Sequence, residues 1–160
     1  PFGARLPRDA TIVAGEAISE AERRRRFPAD GDAIASSAAR WFTGTSYQWG
    51  GITPWGADCS GMVQAAFGLH GVPLPRDARQ QAELGAPIAV EQDAWRAGDL
   101  LFFSERPDGR ITHVALVAEP HTLMHVGIGR GGFAVERVRE STDAYAVALM
   151  GRLKAARRIF

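Results

Sequence analysis

From residue 30 onward the apolar positions of the chain recur at helical spacing. Ile34, Ala38, Ala39, Trp41 and Phe42 share one side of a predicted helix, with Asp30 or Asp32 placed to cap its start and Gly44-Thr45 to end it. Residues 45–58 break that period. The run Ser46-Tyr47-Gln48-Trp49-Gly50-Gly51-Ile52-Thr53-Pro54-Trp55-Gly56 is rich in glycine, aromatic residues and proline, and backbone requirements shape such a loop. Cys59-Ser60-Gly61 opens a second helix, with Cys59, Met62, Val63, Ala66 and Phe67 on one face and Gly71 as its stop. Pro73-Leu74-Pro75-Arg76-Asp77 leads into a short helix through Gln80, Gln81 and Leu84, stopped by Gly85-Ala86-Pro87. After Trp95 the pattern changes to strands, expected at 100–103, 113–117, 123–126, 133–138 and 147–152. Turns fall at Gly98-Asp99, Pro107-Asp108-Gly109 and Glu119-Pro120-His121, and Gly127 to Gly132 is glycine-rich. Helices first and an antiparallel sheet of five to six strands second reads as α+β in one domain.

The first 28 residues are less ordered in pattern. Thr11-Ile12-Val13 fits a short strand, and Glu16 to Arg26 fits a polar helix that Phe27-Pro28 stops. Arg23-Arg24-Arg25-Arg26 follows Glu20 and Glu22 and reads as a solvated face with local acidic partners. Residues 1–28 are therefore a lead-in or the remnant of a preceding domain, and 29–160 the folded unit. The start, Pro1-Phe2-Gly3-Ala4-Arg5, has no Met and no signal-peptide pattern and reads as the start of a fragment or a processed chain, which leaves the compartment open.

Composition narrows the classes. At 160 residues with 46% hydrophobic and 23% charged, the chain has globular composition and enough length for a core that stands without disulfides or metals. Nineteen basic residues, only Lys154 among them not arginine, oppose eighteen acidic ones, so a net charge of +1 gives no reason to expect a nucleic-acid partner. The single cysteine excludes an intramolecular disulfide. No apolar stretch approaches the about 20 residues that span a bilayer.

Cys59 is placed for chemistry. It sits where a glycine-rich loop enters a helix, and the unpaired N–H groups and helix dipole there favour a thiolate and can face an oxyanion. The residues alone leave open whether it is a nucleophile or a buried structural thiol. His113 lies 54 residues downstream at the start of a predicted strand, and His125 lies 12 further on in the next strand. If those strands pair through the turn at 119–122, the imidazoles become neighbours on one face. A cysteine, a histidine and a third polar group that orients the imidazole form the pattern of an activated nucleophile. Zinc is the rival chemistry, with Cys59, His113, His121 and His125 as ligands and Asp58 near. That spacing matches no compact zinc motif, and a metal would occupy the lone thiolate. His70 and His121 are expected at the surface or as caps.

Taken in order, Tyr47-Gln48-Trp49-Gly50-Gly51, Asp58-Cys59-Ser60-Gly61, Gly98-Asp99-Leu100-Leu101-Phe102-Phe103, His113-Val114-Ala115-Leu116-Val117 and His125 make the chain from Asp30 to Arg152 resemble the NlpC-type bacterial cell-wall peptidases, a papain-like family of cysteine endopeptidases. The resemblance implies a papain-like α+β domain with Cys59 as nucleophile, His113 as base and His125 orienting it, and no cofactor. It implies substrate contacts from Tyr47 and Trp49, recognition of a free amine by Asp58, and a carboxylate site at Ser60 with Arg76. The family cleaves the bond between γ-D-glutamate and L-lysine or diaminopimelate in peptidoglycan stem peptides. Thr53-Pro54-Trp55-Gly56-Ala57-Asp58-Cys59 and Leu74-Pro75-Arg76-Asp77 resemble a subgroup that acts on freed muropeptides and usually carries Src-homology-like barrels before the catalytic domain. Residues 1–16 resemble the end of such a barrel, which would make an accessory domain a partner of the cleft. The alternatives are a papain-like amidase or acyltransferase of other specificity and a non-catalytic muropeptide-binding module.

Overall fold

A computed structural model describes residue 7 and residues 9–160, so the reading of residues 1–16 as a barrel end falls partly outside the described residues. The first helix, α1 (Glu20–Arg26), begins where the Ser19 hydroxyl accepts from the Glu22 amide. Its arginines pair with Glu20, Glu22 and Glu16, so the basic run is a solvated face with local acidic partners. The strand expected at Thr11–Val13 does not form. A strand needs a partner edge, none of the sheet pairings involves these residues, and Val13 is 95% exposed.

Asp30 caps α2 (Gly31–Phe42) by accepting from the Ala33 amide at 2.8 Å. A two-residue hairpin follows, β1 (Ile52–Thr53) with β2 (Gly56–Ala57), inside what the sequence shows only as a loop. Then come α3 (Cys59–Leu69), the single turn α4 (Ala78–Gln81) and the edge strand β3 (Ala86–Ile88). Pro87 reads as a helix stop in sequence, yet an edge position tolerates its missing N–H. The remaining elements are β4 (Leu100–Phe103), β5 (His113–Glu119), β6 (Thr122–Gly127), β7 (Gly132–Arg137), α5 (Ala144–Met150) and β8 (Leu153–Arg158). The six-stranded antiparallel sheet has the order β3-β8-β4-β5-β6-β7. N-terminal helices on a C-terminal antiparallel sheet is a papain-like α+β arrangement, as expected.

The fifth strand expected at 147–152 is a helix instead. Asp143 caps it by accepting from the Ala146 amide at 2.9 Å, and Ala146 and Leu149 are buried three positions apart while Val147 is exposed. That is helical spacing, and a short apolar run does not by itself distinguish the two periods. The true final strand begins at Leu153.

Both faces of the sheet are covered, which is why Leu100, Leu101, Phe102 and Phe103 are all buried. Leu100, Phe102, Val114, Leu116, Met124 and Val126 share one core with Ile34, Phe42, Met62, Val63 and Phe67 from α2 and α3. Leu101, Phe103, Ala115, Val117 and Leu123 form a second core with Trp95 and Leu149. At full burial, each such large side chain contributes about 1.5–3 kcal/mol. The first core holds the start of α3 against the start of β5, which is the juxtaposition the site requires. Among the described residues, no helix is long and apolar enough to cross a membrane.

Candidate active site

The backbone around Cys59 is built by glycines and one carboxylate. A side chain at Gly51 would meet the Gly56 carbonyl oxygen at 2.4 Å, and one at Gly61 would meet the Gly51 carbonyl oxygen at 2.0 Å. Only backbone fits where the loop crosses the first turn of α3. Asp58 is the N-cap, and its Oδ1 accepts from the Gly61 amide at 2.8 Å. Its Oδ2 accepts from the Gly50 amide at 2.8 Å, so the same carboxylate ties loop to helix. Arg76 reaches both oxygens, Nη1 to Oδ1 at 2.9 Å and Nη2 to Oδ2 at 2.6 Å, and Nη1 also donates to the Ser60 hydroxyl at 2.9 Å. Burial raises the Asp58 carboxyl pKa, but Arg76 and the Gly61 and Gly50 amides outweigh it and hold it below the usual value.

Tyr47, Trp49, Asp58, Cys59, Ser60, Arg76 and His113 all line one cavity of about 890 Å³. His125 does not line it. It is fully buried, with its Nδ1 2.9 Å from Nε2 of His113 and the rings edge-on at 4.9 Å between centroids. The pairing of β5 with β6 through the turn at 119–122 makes the two imidazoles neighbours on one face, as anticipated. Burial pushes the Cys59 thiol above its ordinary value; the amides of Val114, Ser60 and Cys59 itself oppose that shift, and the Asp58 carboxylate adds to it. Burial, then the neighbouring His125, brings His113 down to about 3. Burial also raises the Tyr47 phenol, reinforced by Cys59 and Asp58 beside it.

Sequence reasoning missed what lies behind His125. Glu136 is 3% exposed on β7, and its Oε1 stands 3.4 Å from Nε2 of His125. Arg130 grips that carboxylate with Nε to Oε1 at 2.7 Å and Nη2 to Oε2 at 2.9 Å, and Nη2 also donates to Asp143 at 2.6 Å. Tyr145 stacks on His125 at 5.8 Å and lies under the Arg130 guanidinium at 4.4 Å. Gly127 leaves room for this assembly, since a side chain there would meet His125 and the Tyr145 hydroxyl within 3 Å. The signal available in sequence was a lone glutamate in a strand whose register places it diagonal to His125, because His125 pairs with Ala134. Gln81 was also missed; it is fully buried and donates from Nε2 to the Ser60 and Pro75 carbonyls.

The other histidines are elsewhere. His70 does occupy the cap position of α3, but it is buried rather than at the surface, bonded to the Pro28 carbonyl at 2.5 Å and Ser37 at 2.9 Å. It joins the end of α3 to α2 through Ser37, with the Phe27 ring edge-on at 5.7 Å. His121 has a positive φ of 63° in its turn and faces Asp93 and Arg139. The rival zinc set does not assemble, and among the described residues no three or more His, Cys, Asp or Glu side chains are grouped to hold a metal.

Glu136 supplies a pH prediction. Burial raises its carboxyl, but His125 and Arg130 outweigh that and bring it from 4.5 to about 2. A carboxyl lowered on folding contributes stability that is fully present above its unfolded pKa and is lost as pH falls through the folded one. Melting temperatures are therefore expected to fall between pH 4.5 and about 2, and Glu136→Gln should flatten that limb. Parallel wild-type and variant curves in calorimetry would rule the contribution out.

Comparison with known proteins agrees with the geometry. The NlpC/P60 family profile matches residues 44–151, a segment that contains Cys59, His113 and His125. The chain belongs to the NlpC/P60 family. It is 42% identical over 86 residues to a gamma-D-glutamyl-L-lysine dipeptidyl-peptidase of Bacillus subtilis, covering 53% of this chain and 28% of that protein. It is 33% identical over 119 residues to a protein of the same name from Bacillus cereus, covering 74% and 34%. The chain thus spans about a third of the length of these curated relatives. The crystal structure of the NlpC/P60 domain of the peptidoglycan hydrolase SagA superposes with a TM-score of 0.63 at 29% identity, covering 81% of this chain and 98% of that one. Membership supports a cysteine hydrolase of the NlpC/P60 type.

Proposed function

We propose that this chain hydrolyses the γ-D-glutamyl–L-diamino-acid bond of peptidoglycan stem peptides through a Cys59-His113-His125 triad. The observation that carries the reading is one cavity lined by a thiol at a helix start and an imidazole whose Nε2 is hydrogen-bonded to a second, buried imidazole. In the proposed reaction His113 takes the Cys59 proton as Sγ attacks the γ-carbonyl carbon. The carbonyl electrons move to oxygen, which the Cys59 amide and the Tyr47 hydroxyl stabilise; one such donor is worth about 3 kcal/mol. Collapse of the adduct breaks the C–N bond, and His113 passes its proton to the leaving amine. Water, deprotonated by His113, then cleaves the thioester and restores the thiol.

The cavity wall beside the thiol supports the substrate class. Asp58 and Arg76 form an ion pair there, with Ser60 bonded to Arg76. A freed peptide that begins with L-alanine and γ-linked D-glutamate brings both an ammonium and a carboxylate. We assign the amine to Asp58 and the carboxylate to Arg76 and Ser60, with Trp49, 86% exposed, as an apolar wall at the rim. The relatives named above as gamma-D-glutamyl-L-lysine dipeptidyl-peptidases point to the same bond. The lining also holds Arg110 beside the ion-paired Arg106 and Arg152, which fits a leaving diamino acid with a second carboxylate.

The test is mass-spectrometric digestion of L-Ala-γ-D-Glu-diaminopimelate, its lysine counterpart and an amine-blocked version. The expected result is cleavage after D-glutamate in the free-amine peptides only, faster for diaminopimelate. Equal cleavage of the blocked peptide would remove the role given to Asp58. No cleavage of any would overturn the reading.

A further inference from the structure

We propose that Glu136 is a positioning residue that fixes the direction of the hydrogen bonds through His125 and His113, and so leaves Nδ1 of His113 as that ring's basic nitrogen. The inference rests on His113 acting as the base in the reaction above. A neutral imidazole carries one N–H donor and one lone-pair acceptor, so the bond between His113 Nε2 and His125 Nδ1 can run in either direction. In one direction His113 keeps a bare Nδ1 able to accept a proton. In the other, Nδ1 carries the hydrogen and the ring cannot act as a base there.

Glu136 removes the ambiguity. An ionised carboxylate only accepts, and Arg130 holds both of its oxygens with two N–H donors. Facing Glu136 Oε1, Nε2 of His125 must carry the hydrogen. In the neutral ring its Nδ1 is then bare and must accept, so Nε2 of His113 donates. The remaining nitrogen of His113 is left unprotonated. The groups that face His125 are His113 from β5, Glu136 from β7, Tyr145 from α5 and, over the Tyr145 ring, Arg130. Only Glu136 among these is a carboxylate. Arg130 also bonds Asp143, the cap of α5, so the helix that supplies Tyr145 and the strand that supplies Glu136 are tied through one guanidinium.

The test reads tautomers directly, by two-bond proton–nitrogen correlation in ¹⁵N-labelled protein near neutral pH; only four histidines contribute. In the wild type, His113 and His125 are both expected with the hydrogen on Nε2. Glu136→Gln can present either its oxygen or its NH₂ to His125, so both tautomers should populate. Its kcat should fall about 10–100-fold with KM little changed, the usual scale for a group that orients a reacting or ligating one. Glu136→Asp, which still only accepts, should restore the wild-type tautomer. Finding Nδ1–H on His113 in the wild-type protein overturns the proposal, whether or not the variants fold. An unchanged tautomer in Glu136→Gln overturns it as well. Because the spectrum needs no substrate, wild-type tautomers as expected together with no peptide hydrolysis would locate the failure in the substrate reading instead.

Discussion

Cys59→Ala is expected to lose hydrolysis by about ten-thousand-fold or more in kcat while still folding, because the step that forms the covalent intermediate disappears. The thiol is small and buried, and its neighbours Asp58, Ser60 and Gly61 are held by bonds that do not involve it. Peptide binding should therefore survive in the variant, measurable by calorimetry with uncleaved substrate. His113→Ala should cost nearly as much as Cys59→Ala, and the double variant should be no worse than either alone, since the two act as a unit. His125→Ala should cost less, because it removes orientation rather than the base itself. Substantial turnover by Cys59→Ala would dismiss the covalent route entirely.

The second large effect is a reversal of sign within one helix. Replacing an exposed helical glycine by alanine normally stabilises by about 1 kcal/mol. Gly68→Ala in α3 has nothing within 4 Å of the new methyl and should show that gain. Gly61→Ala, in the first turn of the same helix, would set its methyl 2.0 Å from the Gly51 carbonyl oxygen. The obstacle is backbone, so the loop and the helix start must separate, and overpacking of this kind costs about 1–3 kcal/mol or more. The separation also pulls on Asp58, which bonds Gly61 on the helix and Gly50 on the loop. Gly61→Ala is expected to lower both the melting temperature and kcat, and Gly68→Ala to raise the first and leave the second alone. Denaturant midpoints for the pair decide the matter; equal shifts would show that the close approach is not a constraint.

Much of this was readable in the chain. The period of Ile34, Ala38 and Phe42 and that of Met62, Val63 and Phe67 mark α2 and α3, because each helix buries one face against the sheet. The turn at 119–121 is enough to place His113 and His125 on neighbouring strands, where the pairing brings them together. What stayed hidden depends on partners distant in sequence. The seven residues of α5 are as apolar as a strand, and only the Asp143 cap and the second core beneath Leu149 decide for helix. Arg76 looks like either a surface charge or a ligand, and its two bonds to Asp58 come from 18 residues away. Glu136 carries no motif of its own. Its meaning comes from the strand register and from Arg130, which the sequence shows only as one more arginine.

The sheet order carries a consequence for how the molecule is assembled. Strands β4 to β7 follow one another in sequence and in space, so the hairpin that bears both imidazoles is made of local contacts, which form early because they close short loops. Strand β8 is made last among the six, yet it lies between β3 and β4 and, among the described residues, is the only sheet partner of β3. Arg158 at its end also completes the shell of Asp99, a carboxylate 1% exposed at the start of β4. On the ribosome, the half of the sheet holding the histidines can gather while residues 153–158 are still unmade, and the other half waits for them. Cys59, the nucleophile of the proposed reaction, is thus synthesised well before the sheet behind it can be complete.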